Sequence, residues 1–141
     1  MHTLIGRQAR NFVAISTEGE LELYAWLPRA GVLGFCPTPP DARSDQMMRA
    51  LARQVQPQLA CAAIVPAPLA VLLARRAELG VLLPMVADPE RVIAAAYGLE
   101  RDERPSIVLV TAGKRVEGVW RYPDESGGAL ERVVRRVRLD R

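Results

Sequence analysis

The residues of this 141-residue chain that could carry chemistry are two cysteines, one histidine and an aspartate–serine pair. Cys36 closes the apolar run Gly31 to Cys36, directly before a stiff turn with Pro37, Pro39 and Pro40; Asp41 and Ser44 stand where an amphipathic helix begins. A strand that ends in a turn and feeds a helix is where α/β proteins usually place their chemistry. Helix N-termini add partial positive charge and free N–H groups at that point. A thiolate there would be a nucleophile, whereas a thiol at the end of a buried strand is a small core residue. The spacing Cys36-Pro-Thr-Pro is not that of a Cys-x-x-Cys dithiol. A serine nucleophile would need a base, and His2 is the only histidine. One histidine and two distant cysteines also argue against a zinc site.

The elements that must position these residues follow from periodicity and punctuation. Asn11 to Ile15 and Glu20 to Leu23 read as a hairpin around Ser16-Thr17-Glu18-Gly19. Gly31 to Cys36 reads as a strand covered on both faces. A helix over Ser44 to Gln56 would bury Met47, Met48, Leu51, Ala52 and Val55, with Pro57 stopping it. Leu59 to Val65 is a second buried strand, and Leu69 to Leu79 a helix ended by Gly80. Leu82 to Val86 is a short strand. Asp88-Pro89-Glu90 opens a third helix, capped by Asp88 and closed by Gly98. Ser106 to Val110 and Val116 to Tyr122 form a hairpin across Ala112-Gly113-Lys114, and a helix from Gly128 to Arg138 finishes the chain.

That order, hairpin, β, α, β, α, short β, α, hairpin, α, predicts a parallel central section with helices on both faces and antiparallel strands beside it. The expected fold is α/β and thioredoxin-like: a mixed central sheet flanked by helices, with an N-terminal β-hairpin extension. One domain over residues 1–141 suffices for this length. If the strands of Cys36 and Cys61 run parallel as neighbours, the two thiols lie near opposite ends and beyond disulfide reach.

Composition narrows the classes. Half of the residues are hydrophobic and a quarter charged, as in soluble globular proteins. No apolar run approaches the roughly 20 residues needed to span a bilayer, and MHTLIGRQARNF lacks the apolar core of a secretory signal. A cytoplasmic location is the expectation. Two cysteines far apart fit free thiols in such a compartment. The net charge is +3, with Lys114 the only lysine. The densest basic run, Arg132, Arg135, Arg136, Arg138 and Arg141, alternates with Leu130, Val133, Val134 and Val137 at helical spacing. The arginines are then the solvated face of a helix, not a nucleic-acid surface.

Four motifs in order give the chain a family resemblance. Ile5-Gly6-Arg7-Gln8-Ala9-Arg10-Asn11-Phe12 resembles the opening Gly-x-x-Ala-Pro-Asp-Phe of the peroxiredoxin family, the alkyl hydroperoxide reductase and thiol-specific antioxidant group, with Arg10 and Asn11 in place of proline and aspartate. Thr17-Glu18-Gly19 resembles its first turn. Ala87-Asp88-Pro89-Glu90-Arg91 through Ala96-Tyr97-Gly98 is similar to its Ser-Asp-Pro-x-x-x-x-Ala-x-x-Tyr-Gly segment. Arg104-Pro105-Ser106-Ile107-Val108-Leu109-Val110 resembles the strand entered from the family's active-site arginine. The resemblance implies a thioredoxin-like fold, homodimers and reduction of peroxides at the expense of a thiol reductant, without metal or cofactor. It implies Arg104 as the stabiliser of thiolate and peroxide; within its charged loop, Glu100 to Glu103, an exposed surface arginine is the other reading.

The active-site motif is where the pattern breaks. The family carries Pro-x-x-x-Thr-x-x-Cys after its strand, with the peroxidatic cysteine in the first helical turn. Anchored on Phe35 and Pro37, the threonine position falls on Asp41 and the cysteine position on Ser44. Serine does not ionise usefully near neutral pH and has no sulfenic state. A carboxylate at position 41 would raise the cost of an anionic nucleophile beside it. Asp and Ser are also favoured capping residues, so both are expected to cap the helix. Three readings follow. The first is a peroxiredoxin-like scaffold with weak or absent peroxidase activity and a binding or regulatory role. The second is a thiol-dependent peroxide reductase using Cys36 with Arg104. The third is a structural partner subunit, with apolar surface at Trp26, Leu27 or Trp120 supporting dimerisation.

Overall fold

Gly31-Val32-Leu33-Gly34-Phe35 has no polar side chain, and it occupies the interior of a seven-stranded sheet with all five residues buried. The computed structural model describes residues 3–27, 29–123, 130–133 and 135. Its elements are β1 (Val13–Ser16), β2 (Gly19–Glu22), α1 (Leu23–Trp26), β3 (Gly31–Phe35), α2 (Ala42–Ala50), β4 (Ala60–Val65), α3 (Leu69–Leu79), β5 (Met85–Ala87), α4 (Val92–Ala96), β6 (Ser106–Val110) and β7 (Val116–Arg121). A π-helical turn, Leu51–Val55, prolongs α2.

The sheet order is β2-β1-β5-β4-β3-β6-β7. β3, β4 and β5 are parallel, joined through α2 and α3, while β1–β2 and β6–β7 are antiparallel hairpins added at the two edges. This is the thioredoxin-like mixed sheet with an N-terminal hairpin that the element order predicts.

Strand periodicity assigns each side chain to a face. Val32 and Cys36, with Cys61, Ala63 and Val65 of the neighbouring strand, join Met47, Met48, Leu51 and Val55 of the α2 segment and Leu72 of α3. Leu33 and Phe35 face the other way, against Ile93, Ala94 and Tyr97 and the N-terminal Leu21, Leu23 and Leu27. Gly34 lets α2 sit close: a Cβ there would lie 2.6 Å from Leu51 Cδ1 and 3.0 Å from Met47 Cε.

Several boundaries differ from the sequence expectation. The first hairpin is Val13–Ser16 with Gly19–Glu22, and Leu23 begins a helical turn, with Leu27 N–H donating to the Leu23 carbonyl at 2.9 Å. Leu23 and Leu27 are both buried, so these leucines satisfy a strand alternation and a helical spacing alike. The predicted strand at 82–86 is Met85–Ala87. Asp88 does cap the following helix, but from a turn earlier: that helix spans Val92–Ala96, and the Asp88 carboxylate accepts from the N–H groups of Ile93 and Ala94, each at 3.0 Å. Gly80 ends α3 in the left-handed conformation (φ 66°), as expected for its position.

Leu27 is 2% exposed, which removes it from any apolar docking surface. Trp26 and Trp120 are half-buried and pack against the two core clusters. The predicted helix 128–138 lies mostly outside the described residues. Its described part, 130–133 and 135, is helical, with Leu130 and Val133 in the core and Arg132 and Arg135 exposed. Among the described residues no helix is long and apolar enough to cross a membrane.

Candidate functional site

The edge formed by the C-terminal ends of β3 and β4 carries Cys36. Its N–H donates to the Ile64 carbonyl at 3.0 Å, which extends the parallel ladder one residue past β3 and fixes the side chain toward α2. The chain then turns through Pro37, Thr38 and Pro39, with a cis Thr38–Pro39 bond, to reach Asp41.

Asp41 is the N-cap of α2 in extended conformation, and with Ser44 it forms a capping box. Ser44 N–H donates to Asp41 Oδ1 at 3.1 Å, and Asp41 N–H donates to Ser44 Oγ at 3.4 Å. Arg43 adds Nε–H and Nη2–H bonds to Asp41 Oδ2, at 3.0 and 2.8 Å, and donates to the Glu103 carbonyl at 3.0 Å. Partial burial pushes the Asp41 carboxyl up, but the Arg43 hydrogen bond, the Ser44 N–H and the Arg43 charge together hold it below its ordinary value. Both predicted cap residues therefore cap the helix. Ser44 is fully buried.

Ser44 also faces the Cys36 sulfur. Burial pushes the Cys36 thiol up to about 12; a hydrogen bond from Ser44 opposes this, the Asp45 and Asp41 charges add to it, and Arg91 lowers it again. Desolvation dominates, so the sulfur is a neutral thiol near pH 7. Asp45 is itself held by Arg75 of α3, through Nε–H to Oδ1 at 3.1 Å and a bond from Nη2 to Oδ2.

Arg91 is the arginine at Cys36, and it is the site residue that sequence reasoning missed. Its Nη1–H donates to Thr38 Oγ1 at 2.6 Å and to the Cys36 carbonyl at 3.4 Å, and Nη2–H donates to the Leu99 carbonyl at 2.9 Å. Arg91 sits in the left-handed region (φ 57°), where a non-glycine residue needs surrounding support. The Asp88 carboxylate, 5% exposed, supplies it by fixing the start of α4 immediately after Arg91. The signal available in the sequence is the Asp88-Pro89-Glu90-Arg91 turn, which reads as a helix start and as part of a family segment but assigns no role to Arg91.

Arg104 bonds elsewhere: its Nη2–H donates to the Pro123 carbonyl. Cys61 is free and buried beside Val32, four residues before Cys36 along the parallel register. At ~3.3 Å per residue the offset is roughly 13 Å, beyond the ~7 Å limit between bridged Cα atoms. The arrangement thus contains a capped helix start, a neutral buried thiol and a guanidinium clamped to backbone carbonyls and Thr38.

No family model matches the chain, and no curated protein matches it. Solved structures do. Peroxidoxin BcpB from Mycobacterium tuberculosis superposes with a TM-score of 0.83 at 17% identity, covering 99% of both chains. A cysteine-to-serine mutant of PrxQ from Xylella fastidiosa gives 0.78 at 18% identity, over 99% of this chain and 98% of that one. The reduced 2-Cys peroxiredoxin of Plasmodium vivax gives 0.75 at 16%, over 98% and 96%. The chain shares with these structures the thioredoxin-like fold of peroxiredoxins over nearly its whole length.

Proposed function

We propose that this chain is a peroxiredoxin-like redoxin-domain protein with Ser44 at the peroxidatic position and Asp41 at the active-site threonine position, weak or absent in peroxidase activity, and that its role is binding or regulation. One observation carries the reading. The helix start where the family resemblance puts a reacting thiolate is closed by the Asp41–Ser44 capping box, with Arg43 paired to the same carboxylate. A serine hydroxyl there cannot cycle through a sulfenic acid. The remaining thiol at this edge, Cys36, is buried and uncharged. In this reading residues 1–141 work as a single cytoplasmic domain, without metal or cofactor, and associate as a homodimer.

A second reading keeps Cys36 as a peroxide-reducing thiol. It draws on the Ser44 hydrogen bond and the Arg91 charge, both of which favour the thiolate. The thiolate would attack one peroxide oxygen and break the O–O bond. Cys36 would become a sulfenic acid, alcohol or water would leave, and an external thiol would reduce the sulfur again. Arg104 would have to act as electrostatic partner from its place beside the Pro123 carbonyl.

Peroxide consumption separates the two. With dithiothreitol as reductant, the native chain is expected to consume hydrogen peroxide no faster than buffer and reductant alone, and Cys36→Ser to behave identically. Turnover in the native protein that vanishes in Cys36→Ser would overturn the inactive reading in favour of the second.

A further inference from the structure

Outside the Cys36 site, the π-helical turn after α2 and the end of α3 enclose an open groove of about 340 Å³. Arg49, Arg53 and Gln56 line one wall and Leu79, Val81 and Leu82 the other. The volume is at the lower end of the range for small-molecule sites.

Charge sets this groove apart. The other described arginines of α2 and α3 are paired: Arg43 with Asp41, Arg75 with Asp45 and Glu78, and Arg76 with Glu18. Among the described residues Arg49 and Arg53 have no carboxylate partner. They stand four residues apart on one helical segment, where like charges repel each other. Their opposite wall offers Leu82, 79% exposed, as bare apolar surface. That side chain does not face outward by looseness of the chain: the Leu82 carbonyl is held by Arg76 Nη2–H at 3.1 Å and by Gln56 Nε2–H at 3.4 Å. Arg53 and Ala52 lie inside the π turn, an irregularity that costs helix regularity and is common at functional positions.

Two guanidiniums without a carboxylate partner among the described residues match a carboxylate or phosphate in fork geometry. A fixed apolar wall beside them matches a short hydrocarbon body. We propose that this groove binds a small amphiphilic organic anion, with its acidic head on Arg49 and Arg53 and its apolar body on Leu79, Val81 and Leu82. The proposal goes beyond the reading of Ser44 and Cys36 and stands without it.

Isothermal titration of the full chain with hexanoate and with hexyl phosphate tests it, beside inorganic phosphate and hexanol. At least one of the two amphiphiles is expected to bind, and which one identifies the head group. The Arg49→Gln/Arg53→Gln variant, changed only at exposed side chains, is expected to bind that amphiphile at least tenfold more weakly. Leu82→Ser is expected to weaken the amphiphile while leaving inorganic phosphate unchanged, and unaltered thermal melts would show that both variants fold. No binding of either amphiphile overturns the proposal, as does equal binding by the double arginine variant. Binding of inorganic phosphate or hexanol as tight as that of the amphiphiles overturns it too.

Discussion

Asp41 and Ser44 cap each other: the Ser44 amide donates to the Asp41 carboxylate at 3.1 Å, and the Asp41 amide donates to the Ser44 hydroxyl at 3.4 Å. The exchange satisfies helix N–H groups that would otherwise face a ligand or water. It ties the N-cap and the third residue of α2 to each other. A peroxide-binding pocket needs the opposite, an unsatisfied helix start beside a thiolate.

The cap has a pH signature. The Asp41 carboxyl lies below its ordinary value of 3.8 in the folded chain, so its stabilisation is fully present above that pH and is lost as pH falls through the folded value. Asp41→Ala is expected to cost about 1 kcal/mol at pH 7, the usual worth of an N-cap. The gap between native and variant urea midpoints should shrink steadily below pH 4. A gap that stays constant down to pH 2.5 would contradict this role.

Cys36 should resist thiol reagents. With its thiol at about 12, roughly one molecule in ten thousand carries the thiolate at pH 8. Labelling by iodoacetamide in the native state is therefore expected to be slower by more than a hundredfold than in urea, where both thiols should react. The raised value also adds stability that is present below the ordinary thiol pKa of 9.0 and is lost as pH rises toward 12. Cys61 is pushed up by burial as well, so Cys36→Ala should reduce the alkaline loss without abolishing it.

Asp88 holds the Arg91 clamp in place. Asp88→Ala strips the Ile93 and Ala94 amides of their acceptor inside the core and is expected to cost about 2 to 4 kcal/mol in urea unfolding. Arg91→Ala removes the bonds to Cys36 O and Thr38 Oγ1 directly and should speed native-state labelling of Cys36 severalfold. Unchanged labelling in Arg91→Ala would show that the turn after β3 is held by other contacts.

Restoring a thiol at the helix start should be limited by the aspartate. Ser44→Cys puts the nucleophile back but leaves a carboxylate against it, and a charge effect of about one pKa unit corresponds to about tenfold in thiolate. Asp41→Thr/Ser44→Cys is accordingly expected to consume peroxide about tenfold faster than Ser44→Cys alone, with dithiothreitol as reductant. Equal rates would remove the electrostatic explanation for position 41.

The parts of the fold that were legible in the sequence are those set by local chemistry. The apolar run 31–35, the Gly80 stop and the Asp41–Ser44 cap each act within a few residues, and each appears as expected. The misread parts depend on contacts distant in sequence. Leu23 continues the alternation of β2, yet it starts a helical turn because the Tyr24 N–H is taken by the Asn11 side chain and Leu27 closes the turn beneath it. Arg91 reaches Cys36 and Thr38 across more than fifty residues, and no spacing in the chain announces that meeting. The motif that carries Arg104 is local and says nothing of the long-range bond its guanidinium makes to the Pro123 carbonyl.

The parallel register that sets Val32 beside Cys61 and carries Cys36 four residues further has a last consequence. A chain whose two sulfurs ride on adjacent rigid strands, out of each other's reach, cannot tie a loop in itself. Its covalent topology is the same in an oxidising bath as in a reducing one, and a monomer run without reductant should migrate on a denaturing gel where the reduced monomer does. Any sulfur–sulfur bond this molecule makes must be made with something else.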